Sequence, residues 1–97
     1  MRFEWDPEKS TLNKKKHGIA FEDACYVFAD KYMLTLPDEA HSQDEERWIT
    51  LGQGKQEKCL VIIHTCRHYK HQEATRIISA RKATKNETRN YLERRKS

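Results

Sequence analysis

The chain has 97 residues, 36% of them hydrophobic and 35% charged, with a net charge of +4. That length holds one small domain spanning residues 1–97, and the composition is too apolar, with too few Gly and Pro, for a disordered or low-complexity protein. The longest apolar run, Cys59 to Ile63, is far short of a membrane span, and MRFEWDPEK lacks the apolar stretch of a secretory signal, so a cytoplasmic protein with no membrane association is expected.

Phe3-Glu4-Trp5 alternates apolar and polar residues and predicts a short strand. Asp6, Pro7 and Glu8 then supply an N-cap, a first helical position and a first-turn acid, so a helix runs from Pro7 to His17 and closes at Gly18 in the left-handed conformation. Leu12 is its one strong apolar anchor. The run Lys14-Lys15-Lys16-His17 falls in its last turn, where cations complement the negative end of the helix dipole. Phe21, Ala24, Cys25 and Phe28 lie at i, i+3, i+4 and i+7, which predicts an amphipathic helix over residues 21–29. Short strands follow at Met33 to Leu36 and Arg47 to Leu51, separated by a polar loop. Cys59 to Thr65 is apolar on both faces and belongs in the middle of a sheet. A loop from His68 to Ala74 leads to the β-branched run Arg76 to Arg81. Thr84 and Glu87 make a capping box, and Tyr91 and Leu92 anchor the final helix. The fold class is α+β in the order β-α-α-β-β-β-β-α: a small antiparallel sheet, two N-terminal helices and one C-terminal helix, with the helices on one side.

The charges are unevenly placed. From Ser79 to Ser97, seven Lys and Arg stand against Glu87 and Glu93, a local balance of +5, and the lysines at 14–16 form a second basic run. Such concentration favours an anionic partner such as nucleic acid, with a merely solvated face as the plainer alternative. Cys25, Cys59 and Cys66 are an odd number with no tight spacing, which suits free thiols. The stretch HTCRHYKH, residues 64–71, raises the question of a metal. His64, Cys66 and His68 share a strand face by parity, but there is no Cys-x-x-Cys, Cys59 has the wrong parity, and His71 falls in the loop. These residues lack a recognised ligand set, so neither a metal nor any other cofactor is expected. Arg67, at the end of the central strand, is placed to reach a phosphate, and Arg47, Arg76 and Arg81 extend a cationic rim over neighbouring strands. A lattice of surface ion pairs with the acids of residues 38–46 explains the same pattern.

The segments Phe3-x-Trp5-Asp6, Lys16-His17-Gly18-x-x-Phe21-Glu22-x-Ala24, Val27-Phe28-x-Asp30, Asp38-x-x-His41, Glu46-Arg47, Thr65-x-Arg67 and Arg76-Ile77-Ile78-Ser79-Ala80-Arg81 together resemble the BrnT family of bacterial toxins over nearly the whole chain. The resemblance implies a RelE-like fold and a ribonuclease toxin of a type II toxin-antitoxin pair, which inhibits translation and growth. It also implies neutralisation by a BrnA-like antitoxin, with operator DNA bound only through the complex of the two. His68 to Glu73 is longer and richer in histidine than the turn usual in that family, so its histidines lie outside the motif.

RNA can be cut without a metal when its own 2′-hydroxyl attacks the adjacent phosphorus, which requires proton transfers and stabilisation of charge on the phosphate. Arg67 and Arg81 are the first candidates for phosphate contacts in the reaction. Arg47 and Arg76, then Lys82 and Arg89, are candidates for holding RNA. His17, followed by Glu46, is the candidate for proton transfer, and Lys16 for stabilising the pentavalent phosphate. Plainer roles stand beside these: His17 closing the first helix, Glu46 orienting Arg47, and Arg81 pairing with Glu87. A non-catalytic module that binds nucleic acid or protein is the alternative function, and a small metal-binding protein a third.

Overall fold

A computed structural model describes residues 1–96. Its elements are β1 (Phe3–Glu4), α1 (Pro7–His17), α2 (Phe21–Ala24), β2 (Leu34–Pro37), β3 (Trp48–Gln53), β4 (Cys59–Tyr69), β5 (Gln72–Lys82) and α3 (Lys85–Lys96). The strands form one sheet in the order β1-β5-β4-β3-β2, with β4 at its centre. Strands β2 to β5 make the expected antiparallel meander, while β1 pairs parallel with β5 at one edge. The predicted α+β class and element order are those observed.

Helix α1 has the expected ends. Asp6 Oδ1 accepts from the Glu8 N–H at 2.9 Å, and Gly18, at φ 74°, donates its N–H to the Lys14 carbonyl at 2.8 Å. Its predicted anchor is wrong: Leu12 is 62% exposed, and the buried positions are Ser10 and Asn13. The Asn13 amide donates to the carbonyls of Ile19 and Ala80 at 2.8 and 2.9 Å and accepts from the Ala80 N–H at 3.2 Å. Because β1 pairs with β5 only at Thr75 and Arg76, Ala80 has no strand neighbour on that side, and the amide takes the place of one. Ser10 Oγ accepts from the Phe21 N–H, tying α1 to the start of α2. An apolar search cannot find a helix held by polar side chains.

The expected helix over 21–29 is α-helical only to Ala24 and continues as a 3-10 helix over Cys25–Ala29. The tighter winding, with about three residues per turn, eclipses positions three apart. Phe21, Ala24 and Val27 therefore form the fully buried row, while Cys25 and Phe28 are half-buried. That row meets Ile19, Leu60, Ile62, Ile77 and Ala80 to make the core on one face of the sheet. Gly52 of β3 lets the row approach: a Cβ there would lie 2.9 Å from Val27 Cγ1.

Helix α3 corrects the expectation that all helices pack on one side. Its capping box forms in both directions, Thr84 N–H to Glu87 Oε1 at 2.8 Å and Glu87 N–H to Thr84 Oγ1 at 3.1 Å. Tyr91 is buried and donates its hydroxyl to Asp30, and Arg95 reaches Gln53. Gln53 pairs with Cys59, and by alternation their side chains point away from the core residue Leu60, so α3 covers the end of the opposite face. Leu92, the other expected anchor, is 46% exposed.

The predicted loop over 68–74 is instead the tip of a long hairpin. β4 runs to Tyr69, β5 starts at Gln72, and Lys70 and His71 make the turn with Lys70 at φ 49°. No glycine marks this turn, so its tightness was hidden. Cross-strand pairs hold the tip: His68 opposite Glu73, and Tyr69 opposite Gln72 with its hydroxyl on Glu4 Oε1 at 2.7 Å. Further along, the register shifts at Ile63/His64, leaving Ile78 of β5 without a partner on β4. This bulge keeps Ile77 and Ala80, three positions apart, on the same buried face.

Candidate functional site

The histidine-rich stretch separates into distinct environments. His64 is buried in the core, with Nε2 2.6 Å from Thr50 Oγ1 and its ring edge-on to Phe28 at 5.0 Å. Burial pushes its pKa down to about 4, so it is a neutral core residue near neutral pH. Cys66, His68 and His71 are exposed. His64 therefore does not join Cys66 and His68 in a ligand group.

On acidification the unfolded chain binds a proton at His64 near pH 6.5, whereas the folded chain resists until about pH 4. The folded state thus loses stability as pH falls across that window, on the order of 3 kcal/mol in total. Thermal unfolding against pH should show this decline, and His64→Gln, which can still bond Thr50, should flatten it. A wild-type curve level from pH 6.5 to 4 would contradict the burial argument.

The face of the sheet away from α1 and α2 carries a row of polar side chains at the hairpin end. Thr65 pairs with Arg76, Arg67 with Ala74, and Glu4 with Arg76, so alternation puts Glu4, Thr65, Arg67, Tyr69 and Arg76 on that face. Arg76 lies 3.8 Å from Glu4, and Arg67 lies 3.2 Å from Glu45. Thr65 Oγ1 donates to the Glu46 carbonyl at 2.6 Å, which docks the segment leading into β3 against β4. Arg47 follows directly, and its Nε–H is buried without a partner among the described residues. A buried guanidinium N–H lacking an acceptor is costly, and because it is closed off from solvent a ligand reaches it only if the surrounding side chains move.

Beside this row lies a cleft of about 350 Å³ lined by Ala40, His41, Gln43, Asp44, Glu45 and Arg47. His41 Nδ1 sits 3.0 Å from Oδ2 of the buried Asp38, whose backbone N–H donates to the Arg47 carbonyl at 2.8 Å. A carboxylate on Nδ1 orients the ring and leaves Nε2 free for proton transfer, the arrangement used by many general acid-base histidines. Sequence reasoning gave this pair no role. The spacing Asp38-x-x-His41 was its only signal, and it became a dyad only once the 3-10 turn Glu39–His41 folded it back.

The expected site residues fall into two groups. Glu46, Arg47, Arg67 and Arg76 come together at the hairpin end. Arg81 pairs with Val61, six residues from Arg67 along β4 and so roughly 20 Å away at about 3.3 Å per residue. Its guanidinium makes a two-pronged pair with Glu87 at 2.8 and 2.9 Å, and the arginine's bonds pull the Glu87 carboxyl down to about 2. Lys16 and His17 end α1, and the adjoining Gly18 borders a separate cleft with Lys55, Lys58 and Lys82. Arg89 is on α3, with Asn86 as its partner. These residues are not assembled with the arginine row.

The model of a family described as the ribonuclease toxin BrnT of type II toxin-antitoxin systems matches residues 5–87. No curated protein matches the chain significantly. The crystal structure of the Brucella abortus ribonuclease toxin BrnT superposes with a TM-score of 0.64, at 24% sequence identity, covering 88% of this chain and 99% of that one. That likeness is one of fold, and the family match extends over most of the sequence. The chain belongs to the BrnT family of ribonuclease toxins of type II toxin-antitoxin systems.

Proposed function

We propose that the chain is a cytoplasmic, metal-independent endoribonuclease that inhibits translation and is restrained by a BrnA-like antitoxin, with operator DNA contacted only through that antitoxin. The observation that carries the catalytic reading is the arginine row, Arg47, Arg67 and Arg76, standing beside a carboxylate-oriented histidine. In the reaction the RNA 2′-oxygen forms a bond to phosphorus while the bond from phosphorus to the 5′-oxygen breaks, leaving a 2′,3′-cyclic phosphate and a 5′-hydroxyl. The arginines hold the phosphate oxygens and stabilise their added charge. Glu46 and His41 take the proton from the 2′-hydroxyl and return one to the 5′-oxygen.

This reading shifts the chemistry away from His17, Lys16 and Arg81. The first two are assigned to closing α1, and the third to anchoring α3 through Glu87. Lys82 and Arg89 remain as outlying contacts for a longer RNA strand. Purified protein should cut RNA at an unchanged rate in excess chelator and yield cyclic phosphate ends. Expression without the antitoxin should arrest growth. Activity lost in chelator and restored by a divalent ion would overturn the mechanism, and normal growth with intact RNA at high expression would point to a binding module.

A further inference from the structure

Cys66, His68 and Glu73 lie at the tip of the β4–β5 hairpin, where all three are exposed. His68 and Glu73 are direct cross-strand partners, and Cys66 precedes His68 by two residues, so the three side chains share one face. It is the face opposite Arg67 and Tyr69. One ligand atom from each, the thiol sulfur, an imidazole nitrogen and a carboxylate oxygen, fall within 4.8 Å of one another. Cys66 Sγ is 3.9 Å from His68 Nε2, and His68 Nδ1 is 3.5 Å from Glu73 Oε1.

We propose that this hairpin face is a site for Zn²⁺ or a similar thiophilic divalent ion, held by Cys66, His68 and Glu73. Zinc bonds of about 2.3 Å to sulfur and about 2.0–2.2 Å to nitrogen and oxygen place tetrahedral ligands roughly 3.4–3.6 Å apart. The two contacts above use opposite nitrogens of the ring. With one atom from each residue the set spans up to 4.8 Å, wider than zinc requires, and the exposed side chains must rotate inward to close on the ion, which they can do without disturbing the core. A thiolate and a carboxylate balance the two charges of the ion, imidazole is neutral, and three protein ligands leave a fourth position for water.

The choice of a sulfur-preferring ion follows from the thiol. A cluster of carboxylates alone would suit calcium or magnesium, whereas Cys with His selects zinc-like ions. The other two cysteines do not compete well: both are half-buried, and burial pushes Cys25 up to about 11. Spacing in sequence failed to suggest this set because its carboxylate ligand comes from the opposite strand, which the hairpin pairing supplies. The site is separate from the arginine row, so it stands whether or not the proposed cleavage mechanism does.

Cobalt(II) titration of the full chain tests the inference. One cobalt per chain should bind with thiolate-to-cobalt charge-transfer absorption and tetrahedral ligand-field bands, and zinc should displace it. Cys66→Ser should abolish the charge-transfer band, and His68→Ala and Glu73→Gln should each weaken binding at least tenfold. Cys25→Ser and Cys59→Ser should leave the spectrum unchanged. Circular dichroism should show all five variants folded; for Cys25→Ser or Cys59→Ser, which touch half-buried positions, a loss of fold is replaced by the Ala variant. Absence of the band in wild type, its survival in Cys66→Ser, or unchanged affinity in both His68→Ala and Glu73→Gln would overturn the site.

Discussion

Arg67→Ala should lower RNA cleavage about a hundredfold or more while leaving thermal unfolding within a degree or two of wild type. The guanidinium lies on the exposed hairpin, beyond the core cluster, so its truncation removes little packing. Its partner in the free protein is Glu45 at 3.2 Å, with side-chain exposures of 44% and 33%. A solvated pair of that kind is worth about 0–1 kcal/mol and can be exchanged for a phosphate at little cost. A donor aimed at charge that grows in the transition state is worth about 3–4 kcal/mol, which is the source of the expected rate loss. Arg81→Ala provides the contrast. That arginine is locked on Glu87, which also completes the α3 capping box, so its removal should lower the melting temperature and spare much of the cleavage rate. Single-turnover cleavage and calorimetry on both variants separate the two roles. A fully active Arg67→Ala protein, or a stable but inactive Arg81→Ala protein, would place the chemistry at the opposite end of the sheet.

That contrast also marks what could be read from the sequence. The arginines were visible as residues on neighbouring strands, and the expected antiparallel meander already sends the ends of consecutive strands, where Arg67 and Arg81 lie, to opposite ends of the sheet. Grouping the two as one rim overlooked that, and the register places them six residues apart along β4. The competing reading of Arg81 as a partner for Glu87 was available from spacing, and the geometry realises it. Elements with local signals were legible: the Asp6-Pro7 start and Gly18 stop of α1, the Thr84 capping box, and the apolar central strand. Features made by tertiary pairing were not. The dyad of His41 with Asp38 needs a folded turn, the tight tip at Lys70 and His71 lacks glycine, and the burial of His64 depends on Phe28 arriving from another element.

The largest stability effect is expected at Asn13, a residue that composition and periodicity pass over. Its amide makes three hydrogen bonds, two as donor to the Ile19 and Ala80 carbonyls and one as acceptor from the Ala80 N–H, all in a buried setting. Asn13→Ala leaves those backbone groups without partners, and each unsatisfied buried group costs about 1–3 kcal/mol. Partial entry of water offsets some of this, so a net loss of about 3 kcal/mol is expected, or roughly 12–24 °C in melting temperature at about 4–8 °C per kcal/mol for a domain of this size. Asn13→Asp is the sharper test because it keeps the shape and changes only the donors. The carboxylate can still accept from Ala80 N–H, but it faces two carbonyl oxygens, so the folded state favours its protonated form and raises its pKa above the unfolded value of about 3.9. The unfolded chain then binds fewer protons than the folded one between those two values, and the penalty relative to wild type should shrink as pH falls through the raised folded pKa. Thermal unfolding of Asn13→Asp and wild type at matched pH values measures that difference directly. A penalty below about 1 kcal/mol in Asn13→Ala, or one that does not change with pH in Asn13→Asp, would show that α1 is held to β5 by something other than this amide.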